Sequence, residues 1–152
     1  MNKKILVITS GKRKESVARA ILTEGSGKIK INKKDYHALQ NFDRLRIEEP
    51  IRIAEKILRK LNFDVDISVR GGGANGQIES ARLALAKAIV EFWKSEELEK
   101  VYLKYDKTLL VADIRRKEAY KPGDSKARAK RQTSYRWTRV FYLRQIKFIS
   151  DN

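Results

Sequence analysis

The segment Phe63-Asp64-Val65-Asp66-Ile67-Ser68-Val69-Arg70 alternates apolar and polar residues without a break. A strand projects successive side chains to opposite faces, so Phe63, Val65, Ile67 and Val69 point one way and the polar partners point the other. The sheet that holds it is thus buried on one face and polar on the second. A glycine loop, Gly71-Gly72-Gly73-Ala74-Asn75-Gly76, follows directly. From about Gln77 to Trp93 the period changes: Ile78, Ala81, Leu85, Ala88, Ile89 and Phe92 recur at helical spacing. A half-buried strand thus hands over, through glycines, to an amphipathic helix.

The rest of the chain fits that frame. Residues 5–10 and 16–24 are rich in β-branched and aliphatic residues and read as strands. The basic, polar stretch Ser10 to Glu15 between them reads as a hairpin loop. Glu24 to Gly27 is a turn by composition, and Lys28 to Asn32 alternates as a short third strand. Residues 33–41 read as a short helix or an irregular link. Ile47, Ile51, Ala54, Ile57, Leu58 and Leu61 mark a helix over 47–61. Its start would place Glu48 and Glu49 where the helix dipole favours acids. Pro50 would sit in the first turn, where an amide has no acceptor to serve. A further helix is expected over 96–105, with Leu98, Val101, Tyr102 and Tyr105 on its apolar face.

Thirty-five Lys and Arg against 19 Asp and Glu give a net charge of +16 over 152 residues. Such a charge opposes compaction unless a polyanion meets it, and nucleic acid is the commonest polyanion. A membrane surface would call for a basic amphipathic helix or a lipid anchor, and the sequence shows neither. With no cysteine there is no disulfide, thiolate metal site or cysteine nucleophile. The apolar run Ile5 to Ile8 is too short for a signal peptide or a membrane span, so a soluble, cytoplasmic chain is expected.

Gly71, Gly73 and Gly76 satisfy the spacing of a dinucleotide fingerprint, but the parallel strand and acidic residue that complete that unit do not follow. Two readings of the loop stay open. Glycine supplies the positive φ of a tight turn, and side-chain-free amides at a helix start, beside Arg70, can approach a phosphate closely. His37, the single histidine, has no metal partners in the sequence and reads as a surface residue. Asp64 and Asp66 read as solvated residues on the open sheet face. Nothing places a nucleophile beside His37, so neither an enzyme nor a cofactor is expected.

From Arg115 to Arg136 nine residues are Lys or Arg and two are acidic. The segment offers almost nothing to a core and reads as an extended tail. Lys126, Arg128 and Lys130 fall on one side of an extended chain, and arginine adds bidentate phosphate contacts and base stacking. RNA binding is therefore favoured over a merely solubilising charge run.

Four blocks now stand in order: SGKRKESVARA at 10–20, GSGKIKIN at 25–32, FDVDISVRGGGANGQIESARLALAKAIVEF at 63–92 and DIRRKEAYKPGDSKARAKRQTSYR at 113–136. Together they resemble universal small-subunit ribosomal protein nine, in its archaeal and eukaryotic form. The resemblance implies an α+β fold of the ribosomal S5 second-domain type, a mixed sheet with helices on one face and a left-handed βαβ crossover. It implies small-subunit ribosomal RNA as the main ligand and neighbouring proteins of the subunit head as partners, with no membrane and no small-molecule substrate. The RNA-contacting positions it implies are Lys12, Arg13, Lys14, Arg19, Arg70 and Gly71 to Gly73. In the tail they are Arg115, Arg116, Lys117, Lys121, Lys126, Arg128, Lys130 and Arg131. It further implies that the tail reaches P-site tRNA through Ser134, Tyr135 and Arg136.

The expected organisation is a globular RNA-binding domain over 1–112, an extended basic tail over 113–136 and an atypical extension over 137–152. The family pattern ends at the arginine, whereas this chain continues through an aromatic, β-branched segment. The expected function is structural: rRNA binding in the small subunit, with the tail helping to hold P-site tRNA. The rivals are a free-standing RNA- or DNA-binding module and a nucleotide-binding enzyme using the glycine loop.

Overall fold

A computed structural model describes residues 5–58, 62–120 and 127–128. The chain divides into two compact units, Met1–Arg115 and Arg116–Asn152. Among the described residues the first holds a five-stranded sheet and three α-helices: β1 (Ile5–Arg13), β2 (Ser16–Glu24), β3 (Ile29–Ile31), β4 (Lys34–Asp35), α1 (Asn41–Leu58), β5 (Phe63–Arg70), α2 (Ala74–Trp93) and α3 (Glu96–Tyr105). Strand order is β1-β2-β5-β3-β4. All pairings are antiparallel except β3 with β5, which run parallel and are joined through α1. The sheet is therefore mixed.

Alternation decides which face is covered. Ala18, Ala20 and Leu22 of β2, the four apolar residues of β5, and Ile29 and Ile31 of β3 are all buried in one cluster. Helix α2 lies against β1, β2 and β5, with α1 packed against it. That double contact explains why α2 buries more than a stripe, including Leu83, Ala84 and Ala86. Its alanines let the elements approach closely. Gly11 of β1 marks the closest approach, because a Cβ there would overlap the Ser80 carbonyl oxygen and crowd the Ala84 amide. Thr9 donates its hydroxyl proton to the Ala84 carbonyl, 2.8 Å away. Phe63 meets Phe92 edge-on at 5.5 Å.

Several expectations are corrected. The hairpin loop is not six residues long: β1 runs to Arg13 and β2 starts at Ser16, leaving only Lys14 and Glu15 in the turn. Lys14 takes the left-handed conformation, φ 54°, and basic composition hid a regular ladder. Residues 33–41 contain the short strand β4 and a single 3₁₀ turn, Tyr36–Ala38. Helix α1 starts at Asn41, not near 47, and Pro50 lies in its interior. Proline has no N–H for the Arg46 carbonyl. The Pro50 carbonyl accepts a hydrogen bond from the buried Tyr102 hydroxyl at 2.7 Å. Glu48 and Glu49 are thus mid-helix residues. Glu48 is buried between Arg44 and Arg52, at 3.0 and 2.7 Å, and Glu49 pairs with Arg82 of α2. Helix α2 begins at Ala74 rather than Gln77.

Asp64 is buried, not solvated. Its carboxylate accepts hydrogen bonds from the Ser26 and Lys28 amides, at 2.8 and 3.0 Å, and so fixes the turn into β3. Among the described residues no helix is long and apolar enough to cross a membrane.

Candidate nucleic-acid interface

The strand registers assemble the second sheet face in rows. Lys12, Val17 and Arg70 stand side by side across β1, β2 and β5. The next row is Ser10, Arg19 and Ser68, and the next is Ile8, Ile21 and Asp66, with Lys30 of β3 beside Asp66. Lys12, Arg19 and Arg70 are exposed, as are Ser10 and Ser68. Loop chemistry does not put these cations together. The alternation that buries Ala18 and Val69 on one face turns Arg19 and Arg70 to the other.

Beyond Arg70 the chain turns through Gly71 and Gly72, at φ 75° and 67°, values an L side chain adopts only with strain. Gly73 caps α2 with no side-chain hydrogen bond. Gln77 donates its side-chain amide to the Gly71 carbonyl at 3.2 Å. The loop is therefore the tight turn expected on conformational grounds. A dinucleotide unit is ruled out by topology, since α2 leads into α3 rather than into a strand parallel to β5.

The structure sorts the expected RNA-contacting cations into two groups. Among the described residues Lys12, Lys14, Arg19, Arg70 and Arg116 make no side-chain hydrogen bond or ion pair. Lys117 lies over the Tyr120 ring, 4.6 Å from its centre. The others are engaged. Arg13 bonds Glu79 at 2.6 Å and approaches Asp113 at 2.8 Å. Arg115 forks onto the same Asp113, at 2.6 to 3.1 Å. Arg128 does likewise with Glu118, at 2.9 and 3.1 Å.

Electrostatics follow from these contacts. The Glu79 hydrogen bond raises Arg13 above its ordinary value. The Arg115 side chain and amide, with Arg13 behind them, hold the Asp113 carboxyl well below the usual range. Burial pushes Asp106 up, but the Thr108 amide and hydroxyl together with Arg82 outweigh it and leave that carboxyl lowered. The carboxylates of Glu79, Asp106 and Asp113 thus clasp the segment after α3 to β1 and α2. Sequence reasoning missed the clasp, because its members come from 13, 79, 82, 106, 113 and 115. Lys121, Lys126, Lys130, Arg131, Ser134, Tyr135 and Arg136 lie outside the described residues, as does the extension 137–152.

What the described residues define is an α+β protein with one sheet face covered by helices and, on the other, exposed cations that pair with no other described side chain. The ribosomal protein S9/S16 family model matches residues 11–136, and the chain belongs to that family. It is 48% identical over 134 residues to the small ribosomal subunit protein uS9 of Methanococcus vannielii. The same protein of Methanococcus maripaludis strain C7 matches equally, each alignment covering 86% of this chain and 98% of the relative.

Proposed function

We propose that this chain is a structural constituent of the small ribosomal subunit that binds small-subunit ribosomal RNA. The observation that carries the reading is the set Lys12, Arg19 and Arg70, exposed and unpaired on one sheet face, in a family member with net charge +16. The work is to neutralise phosphates and hold RNA in its fold, on ribosomes in the cytoplasm, beside neighbouring proteins of the subunit head. No chemical step and no cofactor is part of it. The β3–α1–β5 connection is read as the left-handed crossover of the S5 second-domain type, against the usual right-handed preference.

The partition proposed is a globular domain to residue 112, a basic tail over 113–136 and an extension over 137–152. Arg115, Arg116, Lys117 and Arg128, with Lys121, Lys126, Lys130 and Arg131, supply tail contacts to phosphates. Those already held by Asp113 or Glu118 exchange a carboxylate for a phosphate when RNA arrives. Ser134, Tyr135 and Arg136 are proposed to meet P-site tRNA.

The test is assembly. The full chain should co-sediment with small subunits through a high-salt wash; a chain that washes off is a free-standing RNA-binding module. For the tail, subunits carrying the full chain, a chain ending at Arg136 and a chain ending at Ser134 are compared for P-site tRNA affinity. The first two should bind alike and the third several-fold weaker. Equal binding by all three removes Arg136 from the tRNA site.

A further inference from the structure

We propose that the outer edge of β1 receives an extended segment of another protein as an added strand, one that alternates acidic and apolar side chains. Strand β1 lies at the end of the sheet order and pairs with β2 alone. Alternation across the sheet identifies which of its backbone groups are free. In β5 the groups of Phe63, Val65 and Ile67 serve the side of β3. The Val65 amide donates to the Lys28 carbonyl, and the Phe63 and Ile67 carbonyls accept from the Gly27 and Asn32 amides. The groups of Asp66, Ser68 and Arg70 therefore serve β2. The registers carry the alternation on: Thr9, Gly11 and Arg13 serve β2, and the N–H and C=O of Ile8, Ser10 and Lys12 point away from the sheet. Among the described residues none of these outward groups has a hydrogen-bond partner.

Residues 110–115 pass close to that edge without closing it. They reach β1 through the Arg13 side chain, which bonds Glu79 of α2 on the covered face, and they make no backbone hydrogen bond to β1. A cleft of about 380 Å³ remains beside Thr9 and Ser10, bounded by Val90 and Glu91 of α2 and by Leu110. A row of unpaired amides and carbonyls beside such a cleft is a template on which an extended peptide can add, its main chain giving affinity and its alternate side chains giving specificity.

The surroundings of the edge select the occupant. A phosphate accepts hydrogen bonds but donates none, so it would leave the carbonyls of Ile8, Ser10 and Lys12 unmatched, whereas a strand supplies donors and acceptors at the same repeat. Side chains of the added strand alternate between the two faces. Those on the open face come beside exposed Lys12, with Lys14 next in the turn, and acids fit there. Those on the covered face enter the cleft. There Val90 and Leu110 offer apolar contact, and Glu91 and Glu99 outnumber Lys87 and repel an acid. A second copy of this chain is the wrong partner, because each copy brings a charge of +16 and sets lysine against lysine. The register shift between Ile5 and Val7 also interrupts the far end of the edge, a device that discourages self-pairing. The chain's own residues 137–152 carry Arg139, Arg144 and Lys147 against Asp151 alone, the reverse of the acidic face required.

The experiment titrates the full chain calorimetrically, at fixed ionic strength, with the peptide Glu-Val-Glu-Leu-Glu-Val. The comparison peptides are the same residues in blocks, Lys-Val-Lys-Leu-Lys-Val, and the alternating acidic peptide with every amide N-methylated. The variant is Ser10→Pro, which removes an outward N–H and leaves the ladder to β2 intact, as proline on an edge strand does. The acidic alternating peptide should bind about tenfold tighter than each comparison peptide, and Ser10→Pro should weaken it by about tenfold. Hydrogen exchange at the Ile8, Ser10 and Lys12 amides, fast in the free chain, should slow when it is bound. If circular dichroism shows Ser10→Pro unfolded, the N-methylated peptide on wild type makes the same test. Equal binding of the alternating and block peptides overturns the inference, and so does unchanged affinity in a folded Ser10→Pro chain. A dimer in sedimentation that Ser10→Pro dissolves gives the edge to a second copy and overturns it. Peptide binding about tenfold tighter in a chain ending at Arg136 gives the edge to residues 137–152 and overturns it too. Slowed exchange at the three amides with poly(U), and none with the peptide, gives it to RNA with the same result.

Discussion

Arg13 and Arg19 illustrate how one residue type divides into two jobs. Arg13 is mostly buried and satisfies Glu79 and Asp113. Arg13→Ala should cost about 1–2 kcal/mol in urea unfolding, because two carboxylates lose a charged partner. Arg19 is exposed and unpaired, so Arg19→Ala should stay within about 0.5 kcal/mol of wild type while weakening RNA binding. If both substitutions moved stability alike, the division would be wrong. Gly11 poses a steric question. Gly11→Ala drives a Cβ into the backbone of α2, and backbone yields poorly, so a loss of about 1–3 kcal/mol is expected by the same measurement. The sequence showed that Gly11 lay near basic residues, which suggested a loop. It could not show that α2 would pass within contact distance. Asp64 was misread for a similar reason: alternation put it on the open face, but the turn that bends over it, Gly25 to Lys28, is a tertiary fact.

At the level of elements, β2 and β5 were legible because their periods are clean and their ends are marked; the limits of α3 were legible too, but of its expected apolar face only Leu98 and Tyr102 are buried, while Val101 and Tyr105 are exposed. Helix α1 was not. Its first turns carry Phe42 and Leu45, which are exposed, so the apolar stripe begins only at Ile47 and proline appeared to mark the start. The segment from Asp106 to Arg115 was least legible, since ion pairs to distant residues hold it. Those pairs give it a pH dependence. Asp106 and Asp113 have folded values lowered from 3.8. A lowered carboxyl contributes stability that is present above its unfolded value and lost as pH falls through the folded one. Thermal midpoints should therefore drop as pH is taken below about 4, and Asp113→Asn should flatten that drop. A midpoint as acid-sensitive in Asp113→Asn as in wild type would show that the Asp113 carboxylate contributes nothing to it.

For the whole molecule, the position of Asp113 decides how much chain the globular unit needs. A fragment ending at Arg115 keeps the Arg13–Asp113–Arg115 contacts, whereas one ending at Ala112 lacks them. Both should unfold cooperatively by circular dichroism, the longer one at the higher temperature. Absence of a cooperative transition in either would make the tail, or RNA, part of the folding unit. The sheet order has a kinetic corollary as well. Strand β5 sits between β2 and β3 and pairs with both, yet it emerges from synthesis after the whole of α1. The β1–β2 hairpin closes locally and can form within microseconds. Helix α1, exposing Phe42 and awaiting α2, has nothing to pack on, and β3 has no neighbour except the two residues of β4. Pairing Glu24 with Phe63 closes a long loop, a slow step in any chain. A nascent chain stalled before Phe63 should thus present a protected hairpin followed by protease-sensitive residues, and resistance should spread to β3 and α1 together once β5 has been made.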